Sequence, residues 1–195
     1  MEHSLKIGCL IMAAGNAVRF GENKLAAVVD GKTLIERALD AVPVEKFAAV
    51  AVVTQYPEIE QLAVQRGFTA IRNDHPEWGL SYTIRLGTLA LRETCDAILY
   101  QVSDQPLLKR ESIAEEVDFY RAHSDHIVGM AHNGKRGNPC IFPASYFPEL
   151  LALVGDVGGS RVIRAHEEDL LLFEVNPQQL TDVDTPQALR ELTKN

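Results

Sequence analysis

Short apolar runs alternate with amphipathic segments along most of this 195-residue chain, and the alternation constrains the fold more than any other feature. Apolar strands joined through helices are typical of a mostly parallel sheet that is covered on both faces. The first four runs of strand length are Leu5–Met12, Lys46–Gln55, Phe68–Asn73 and Asp96–Asp104. We therefore predict an α/β fold with a mostly parallel central sheet.

The later part of the chain keeps this rhythm with one interruption. Residues 132–147 combine a Gly/Asn/Pro-rich turn with a short apolar run, which indicates a hairpin or an antiparallel insertion. Ser81 is a candidate N-cap for the predicted helix Leu80–Glu93, and Pro186 is expected near the start of a final helix. The sequence contains no repeat, low-complexity tract or linker, so we predict one domain over residues 1–195.

The composition argues against several classes of protein. Nineteen basic and 27 acidic residues give a formal charge of −8, which disfavours binding to nucleic acid or a membrane surface. Cys9, Cys95 and Cys140 are far apart and lack metal-site spacing, so neither a disulfide framework nor a zinc site is predicted. With no signal peptide pattern and no run of 18 apolar residues, we expect a cytoplasmic protein.

The segment MAAGNAVRFGENK, residues 12–24, follows the first predicted strand and has the ingredients of a phosphate-binding loop. It is not a Walker A motif, because Leu25 rather than Ser or Thr follows Lys24, and the dinucleotide pattern GxGxxG is missing. Small residues at 13–15 would let the backbone approach a ligand, while Arg19 and Lys24 could bind phosphate. On composition alone, a solvated loop with two surface cations remains the alternative.

The arrangement of this loop resembles the signature LAAGxSxRMGxxK of the nucleotidyltransferases that activate sugars, cofactors and isoprenoid precursors. The match includes Met12, Phe20 and Gly21, whereas Ala17 stands where the family has Ser. In that family the loop wraps the nucleoside triphosphate. The resemblance thus implies nucleotide contacts by Ala13, Ala14, Gly15, Asn16, Arg19 and Lys24.

Further segments extend the resemblance over most of the chain. NDHPEWGLSYTIRLG is similar to the family segment that packs against base and ribose, and DQP to its strand-end Asp-x-Pro motif. The first implies nucleotide contacts by Asn73, Gly79, Ser81 and Thr83. The second implies that Asp104 is a magnesium ligand, with a helix or turn cap before Pro106 as the structural alternative. TDVDTP resembles a closing motif with a second metal-binding aspartate. We assign that role to Asp184, with Asp182 as the alternative; both could instead cap the last helix.

Two segments point to one branch of this family. GNPCIF and GDVGGSR resemble the GxPxxF and GDxGxR segments of molybdenum cofactor cytidylyltransferases, a branch of the MobA-like NTP transferases. This implies acceptor contacts by Gly137, Pro139, Asp156 and Arg161. The residue inserted before Arg161 departs from the pattern, and a turn salt bridge between Asp156 and Arg161 is the structural alternative.

The resemblance as a whole implies a three-layer Rossmann-like nucleotidyltransferase fold with a small antiparallel insertion. The implied reaction transfers CMP from CTP to molybdopterin, with Arg19, Lys24 and Asp104 as catalytic residues and Mg²⁺ as the cofactor. Alanine rather than glycine at Ala14 favours the pyrimidine over a purine. Alternatives are another nucleotide, another phosphorylated acceptor such as methylerythritol phosphate, or a non-catalytic chaperone that delivers molybdenum cofactor. A molybdoenzyme or its chaperone is a further expected partner.

Overall fold

A seven-stranded sheet with the strand order β5-β4-β1-β6-β8-β7-β9 forms the centre of the structure, a computed structural model that describes residues 4–16 and 23–192. Every neighbouring pair in it is parallel except the two that involve β8. The strands are β1 Ile7–Ala13, β2 Val28–Val29, β3 Lys32–Thr33, β4 Ala49–Thr54, β5 Thr69–Arg72, β6 Ala97–Val102, β7 Ile127–His132, β8 Lys135–Pro143 and β9 Leu170–Glu174. The predicted mostly parallel sheet is confirmed.

Helices cover both faces of this sheet. They are α1 Leu34–Asp40, α2 Pro57–Gln65, α3 Leu80–Leu91, α4 Arg110–Arg121, α5 Phe147–Leu151, α6 Ser160–Ala165 and α7 Pro186–Leu192. Buried residues of α1, α2 and α4 form one apolar cluster, and those of α3, α5 and α6 form another. Strand β1 contributes Cys9 and Ile11 to the first cluster and Leu10 to the second, as expected for a strand buried on both faces.

The antiparallel insertion predicted over residues 132–147 is the β7–β8 hairpin. Its two-residue turn, Asn133–Gly134, has positive φ at both positions, the requirement that makes Asn-Gly a preferred hairpin turn. Strand β8 then lies between β6 and β7 and runs against both. The sequence did not predict the two-stranded β2–β3 sheet or the short helix α5.

Two expectations about helix ends have different outcomes. Pro186 begins α7 as predicted, and the Thr185 hydroxyl accepts a hydrogen bond from the Ala188 N–H, so Thr185 rather than an aspartate caps this helix. The prediction of Ser81 as a cap is wrong. Helix α3 begins after Gly79, whose φ of 83° suits glycine, and Ser81 is buried within the first turn.

Strand order places a crevice where the chain changes direction across the sheet. From β1 the chain continues to β4 and β5 on one side, whereas β6 pairs with β1 on the other. In open α/β sheets, ligands bind outside the carboxyl ends of the strands at such a switch point. Within the described residues, no helix is both long and apolar enough to cross a membrane.

One acidic residue stands out in the first apolar cluster. Glu116 of α4 is fully buried, and neither carboxylate oxygen has a hydrogen-bond partner of regular geometry among the described residues. Burial raises its pKa well above the ordinary value, outweighing a backbone interaction with Met130. The folded state therefore favours the protonated carboxyl of Glu116. The stability of the fold falls as the pH rises above the pKa that Glu116 has in the unfolded chain.

We predict that Glu116→Gln becomes progressively more stable than the wild type as the pH rises from 4 to 8, because Gln cannot ionise. The measurement is the free energy of unfolding from urea titrations at several pH values. Burial of the amide adds an offset that does not vary with pH, so the slope is the readout. The exposed neighbour Glu115 provides the matched control, Glu115→Gln. Parallel pH profiles for wild type and Glu116→Gln would contradict the prediction.

Candidate nucleotide and metal site

A cavity of about 620 Å³ opens at the predicted switch point, outside the carboxyl ends of β1 and β6. Among the described residues it combines small side chains, the cation Lys24 and several carboxylates. Its lining includes Ala13, Ala14, Gly15, Asn16, Lys24, Gly79, Leu80, Thr83, Ser103, Asp104, Asp156 and Asp184. The structure thus brings together nine predicted nucleotide- or metal-site residues from five separate parts of the sequence.

The backbone after β1 is held by side chains from the neighbouring strand. Thr54 Oγ1 donates to the Ala13 carbonyl at 2.9 Å, and Gln55 Nε2 donates to the carbonyl of Ala14, also at 2.9 Å. The Tyr56 hydroxyl donates to the Gly15 carbonyl at 3.1 Å. These bonds use the carbonyl groups of the loop. Within residues 4–16 and 23–192, no hydrogen bond engages the N–H groups of Gly15 and Asn16.

Lys24 reaches the cavity from a short 3₁₀ turn, Lys24–Ala26, that follows the loop. The Asn23 side chain caps this turn by accepting a hydrogen bond from the Leu25 N–H at 3.0 Å. Leu25 is buried in the first apolar cluster. Apolar burial on one side and a cap at the start therefore set the direction of the Lys24 side chain.

The Lys24 ammonium bridges two carboxylates from distant parts of the chain. Its Nζ lies 2.6 Å from Asp104 Oδ2 and 3.2 Å from Asp184 Oδ1. Burial opposes the charge of Lys24, but attraction to Asp104 and Asp184 outweighs that cost and raises the ammonium pKa above its ordinary value. Lys24 therefore stays charged at neutral pH.

A backbone contact brings the two carboxylates together. The Val183 N–H donates to the Asp104 carbonyl at 2.8 Å, and the Val183 side chain is fully buried. This anchors the segment before α7 beside the end of β6 and places Asp184 over the first cavity. Asp182 faces away from it: its Oδ1 accepts a hydrogen bond from Gln105 Nε2 at 3.0 Å, and it lines a second cavity.

The first turn of α3 forms another wall of the first cavity. Asp156 Oδ1 accepts a hydrogen bond from the Leu80 N–H at 3.2 Å, so Asp156 bonds the start of α3 rather than Arg161. A Cβ on Gly79 would lie 2.6 Å from the Asp156 backbone nitrogen, which makes the close approach of this loop possible only with glycine at that position. Thr83 lines the cavity from the next turn.

Asn73 and Ser81 are buried behind the cavity wall rather than lining it. Asn73 Nδ2 donates to Thr83 Oγ1 at 3.2 Å, and its Oδ1 accepts from the His75 N–H at 2.9 Å. The structure therefore gives Asn73 a supporting position beneath Thr83. Trp78 is 51% exposed and stacks on the His75 ring with centroids 4.1 Å apart.

A second cavity, of about 430 Å³, has both partners of the Gln105–Asp182 hydrogen bond in its lining. Of the predicted acceptor residues, Gly137 lines it, Pro139 is buried beside it, and Asp156 belongs to the first cavity. Arg161 is exposed and lines neither cavity. Sequence reasoning missed His132, Lys135, Arg136 and Gln105 here. The basic residues on both sides of the predicted Asn133–Gly134 turn were the available signal.

One predicted catalytic residue cannot be placed. Arg19 lies outside the described residues, as do Ala17, Phe20 and Gly21 of the same loop. The described ends of this loop, at Asn16 and Asn23, both lie at the first cavity or next to its lining residue Lys24.

Comparisons with solved structures show the same fold over nearly the whole chain. Rv0371c from Mycobacterium tuberculosis H37Rv superposes with a TM-score of 0.83 at 20% identity, over 99% of this chain and 100% of that one. A structure of that protein in complex with manganese gives a TM-score of 0.75 at 19% identity, covering 97% and 98% of the two chains. Molybdopterin-guanine dinucleotide biosynthesis protein A from Archaeoglobus fulgidus gives 0.71 at 17% identity, covering 96% and 97%.

Comparisons of sequence give one match to a family and none to an individual curated protein. A search among curated proteins finds no match. The profile of the MobA-like NTP transferase domain matches residues 9–170, which include all of β2 to β8, most of β1 and only the first residue of β9. The predicted family is therefore confirmed: this chain belongs to the MobA-like NTP transferases and is a nucleotidyltransferase by family.

Proposed function

We propose that this protein transfers CMP from CTP to a phosphorylated small molecule, with molybdopterin as the acceptor, and releases pyrophosphate. The observation that carries the proposal is the convergence of Lys24, Asp104 and Asp184 in one cavity beside the residue 13–16 loop. This combination supplies cationic and metal-binding groups next to a backbone segment able to approach phosphates closely.

The chemistry requires charge neutralisation more than acid–base catalysis. A phosphate oxygen of the acceptor attacks the α-phosphorus of the nucleotide, and the bond to pyrophosphate breaks. Both reactants are anionic, so the protein has to align them and stabilise the charge that develops on the leaving group. The acceptor phosphate is already ionised at neutral pH and needs no general base.

Lys24 and the loop are the groups we assign to the triphosphate. The Lys24 ammonium is held charged in the cavity, and the Gly15 and Asn16 N–H groups are available for phosphate oxygens within the described residues. Arg19 completes this assignment from the part of the loop outside the described residues. Thr83, Leu80 and Gly79 on the opposite wall are then placed to contact the nucleoside.

Asp104 and Asp184 fit a magnesium ion as the cofactor. Both carboxylates already lie within 3.2 Å of one cationic atom, and Mg²⁺ prefers one or two carboxylates together with phosphate oxygens and water. When bound, Mg²⁺ would neutralise charge on the triphosphate. The structural neighbour in complex with manganese supports a divalent ion in this fold.

The choice of CTP and molybdopterin depends on finer features. Ala14 lines the cavity where a glycine would leave more space for a purine, which supports CTP over GTP. The GNPCIF segment, which resembles the molybdenum cofactor branch, places Gly137 at the second cavity, where an acceptor would adjoin the nucleotide. Membership of the MobA-like family supports an acceptor of this class, although the Archaeoglobus neighbour is named for a guanine dinucleotide. We propose a cytoplasmic protein that passes its product to a molybdoenzyme or its chaperone.

We predict that purified protein with Mg²⁺ and molybdenum cofactor releases pyrophosphate with CTP faster than with ATP, GTP or UTP. Lys24→Ala should reduce the rate with CTP by about a hundredfold or more, because its charge on the triphosphate is lost. Lys32→Ala is the matched control, since Lys32 is exposed and pairs with Asp40 outside the cavity. Absence of pyrophosphate release with every nucleotide, together with cofactor delivery that survives Lys24→Ala, would favour a non-catalytic chaperone.

A second prediction concerns metal binding without nucleotide. The Lys24 ammonium occupies the space between Asp104 and Asp184, so a divalent ion has to displace it. Lys24→Met should therefore bind Mn²⁺ more tightly than the wild type, while its affinity for the CTP–Mg²⁺ complex falls. Mn²⁺ binding is measured by electron paramagnetic resonance and CTP binding by calorimetry. Weaker Mn²⁺ binding by Lys24→Met would show that the two carboxylates are not the metal ligands.

A further inference from the structure

The second cavity is basic in a chain that is acidic overall. Of the residues that the structure describes, His132, Lys135 and Arg136 line it together with one carboxylate, Asp182. That carboxylate accepts a hydrogen bond from Gln105 Nε2 at 3.0 Å, and Lys135 and Arg136 outnumber it. Positive charge therefore predominates in this cavity, although the chain carries a net charge of −8.

Arg136 is held in place by uncharged groups. Its Nη2 donates to Ser160 Oγ at 2.8 Å, while Nη1 donates to the Gly137 carbonyl at 3.3 Å and to Cys140 Sγ at 3.4 Å. Across residues 4–16 and 23–192, no carboxylate oxygen lies within ion-pair distance of its guanidinium. A guanidinium has five N–H donors, so positive charge and donor capacity both remain available for a ligand.

The backbone makes room for this side chain. A Cβ on Gly129 would lie 3.2 Å from Cγ and from Cδ of Arg136, closer than ordinary packing allows. The absence of a side chain at Gly129 thus lets the Arg136 stem lie flat against strand β7. Arg136 is half-buried and oriented before any ligand binds, which reduces the entropy lost on binding.

The cavity adjoins the proposed site of chemistry. Gln105 follows Asp104 in the chain, and Asp182 precedes Asp184 by two residues. The hydrogen-bonded pair Gln105 and Asp182 therefore lines the second cavity, while Asp104 and Asp184, close to them in the chain, line the first. A ligand in the second cavity would lie next to the carboxylates that we assign to the metal.

We infer that the second cavity holds the acceptor through its phosphomonoester group, and that Arg136 is the residue that selects for this dianion. The identification of the ligand as the acceptor rests on the proposed function; the anion selectivity rests on the cavity itself. The planar guanidinium matches phosphate oxygens, whereas a neutral ligand would leave its charge buried against uncharged partners. Ser160 is a positioning residue that fixes one edge of the guanidinium.

Phenyl phosphate is a suitable probe for a phosphomonoester. Benzoate, which carries a carboxylate, and phenol, which is neutral, serve as comparison ligands. We expect wild-type protein to bind phenyl phosphate in preference to both, measured by calorimetry or ligand-observed NMR. Arg136→Met should weaken that binding by about tenfold or more, as expected for loss of a charge-assisted pair. Arg164→Met, an equal change of charge at an exposed position on α6, should leave it within about twofold.

Further variants separate the two cavities and control for folding. Lys24→Met should retain phenyl phosphate binding, because Lys24 belongs to the first cavity. Arg136→Lys keeps the positive charge but cannot donate two parallel hydrogen bonds, so it should bind phenyl phosphate with intermediate affinity. Unfolding temperatures show whether each variant is folded. The inference is overturned if Arg136→Met and Arg136→Lys bind phenyl phosphate as tightly as the wild type does. It is also overturned if Lys24→Met loses phenyl phosphate binding, or if wild-type protein binds benzoate as tightly as phenyl phosphate.

Binding of CTP with Mg²⁺ to the same proteins distinguishes this inference from the proposed function. Arg136→Met should leave that binding unchanged, because Arg136 lines a different cavity from Lys24. If wild-type protein binds phenyl phosphate through Arg136 but binds no nucleotide, the proposed function fails while the anion site stands. If nucleotide binding is intact and Arg136 has no effect on phenyl phosphate, the anion site fails alone.

Discussion

The site depends on one three-way contact, in which the Lys24 ammonium lies between the carboxylates of Asp104 and Asp184. Asp104 lies 80 positions after Lys24 in the chain, and Asp184 lies 160 positions after it. Two carboxylates held this close to one atom would repel each other without a cation between them. In the absence of a ligand Lys24 supplies that cation, and we propose that a metal ion takes its place when the triphosphate binds.

The rest of the fold makes this contact possible. Parallel pairing of β1 with β6 brings the residue 13–16 loop and Asp104 to the same edge of the sheet. The antiparallel strand β8 then returns past β6 and carries Arg136 and Gly137 to the neighbouring cavity. Hydrogen bonds from the Val183 N–H to the Asp104 carbonyl and from Gln105 to Asp182 attach the segment before α7 to this edge. The hydrophobic layers on both faces leave these strand ends as the place where polar groups can meet.

Much of this arrangement is predictable from the sequence. Apolar runs and helical spacing predict the sheet layers, and Asn133–Gly134 predicts the hairpin turn. Residues 13–16 and Asp104 are identifiable by position because they follow or end predicted strands. The roles of Lys24 and Asp104 come from the resemblance to the nucleotidyltransferase motifs. Arg19 belongs to the same predicted loop but lies outside the described residues.

Side-chain direction was harder to predict. Asn73 and Ser81 belong to a segment that resembles a nucleotide-binding motif, yet both are buried behind the cavity wall, where Asn73 supports Thr83. Asp182 and Asp184 belong to the same short motif, so the sequence does not distinguish them. They line different cavities because the residue between them, Val183, is buried. The basic groups near the hairpin were missed because their direction depends on the irregular β7–β8 register, which local sequence does not reveal.

The difference between those two aspartates offers the most direct test of the nucleotide–metal site. Calorimetry of CTP binding in the presence of Mg²⁺ would compare Asp184→Asn with Asp182→Asn. Our account predicts that Asp184→Asn weakens metal-dependent binding by about tenfold or more, as expected for a lost ionic ligand, while Asp182→Asn retains most of it. The opposite ranking, or equal affinity in both variants and the wild type, would contradict the assignment of the metal to Asp104 and Asp184.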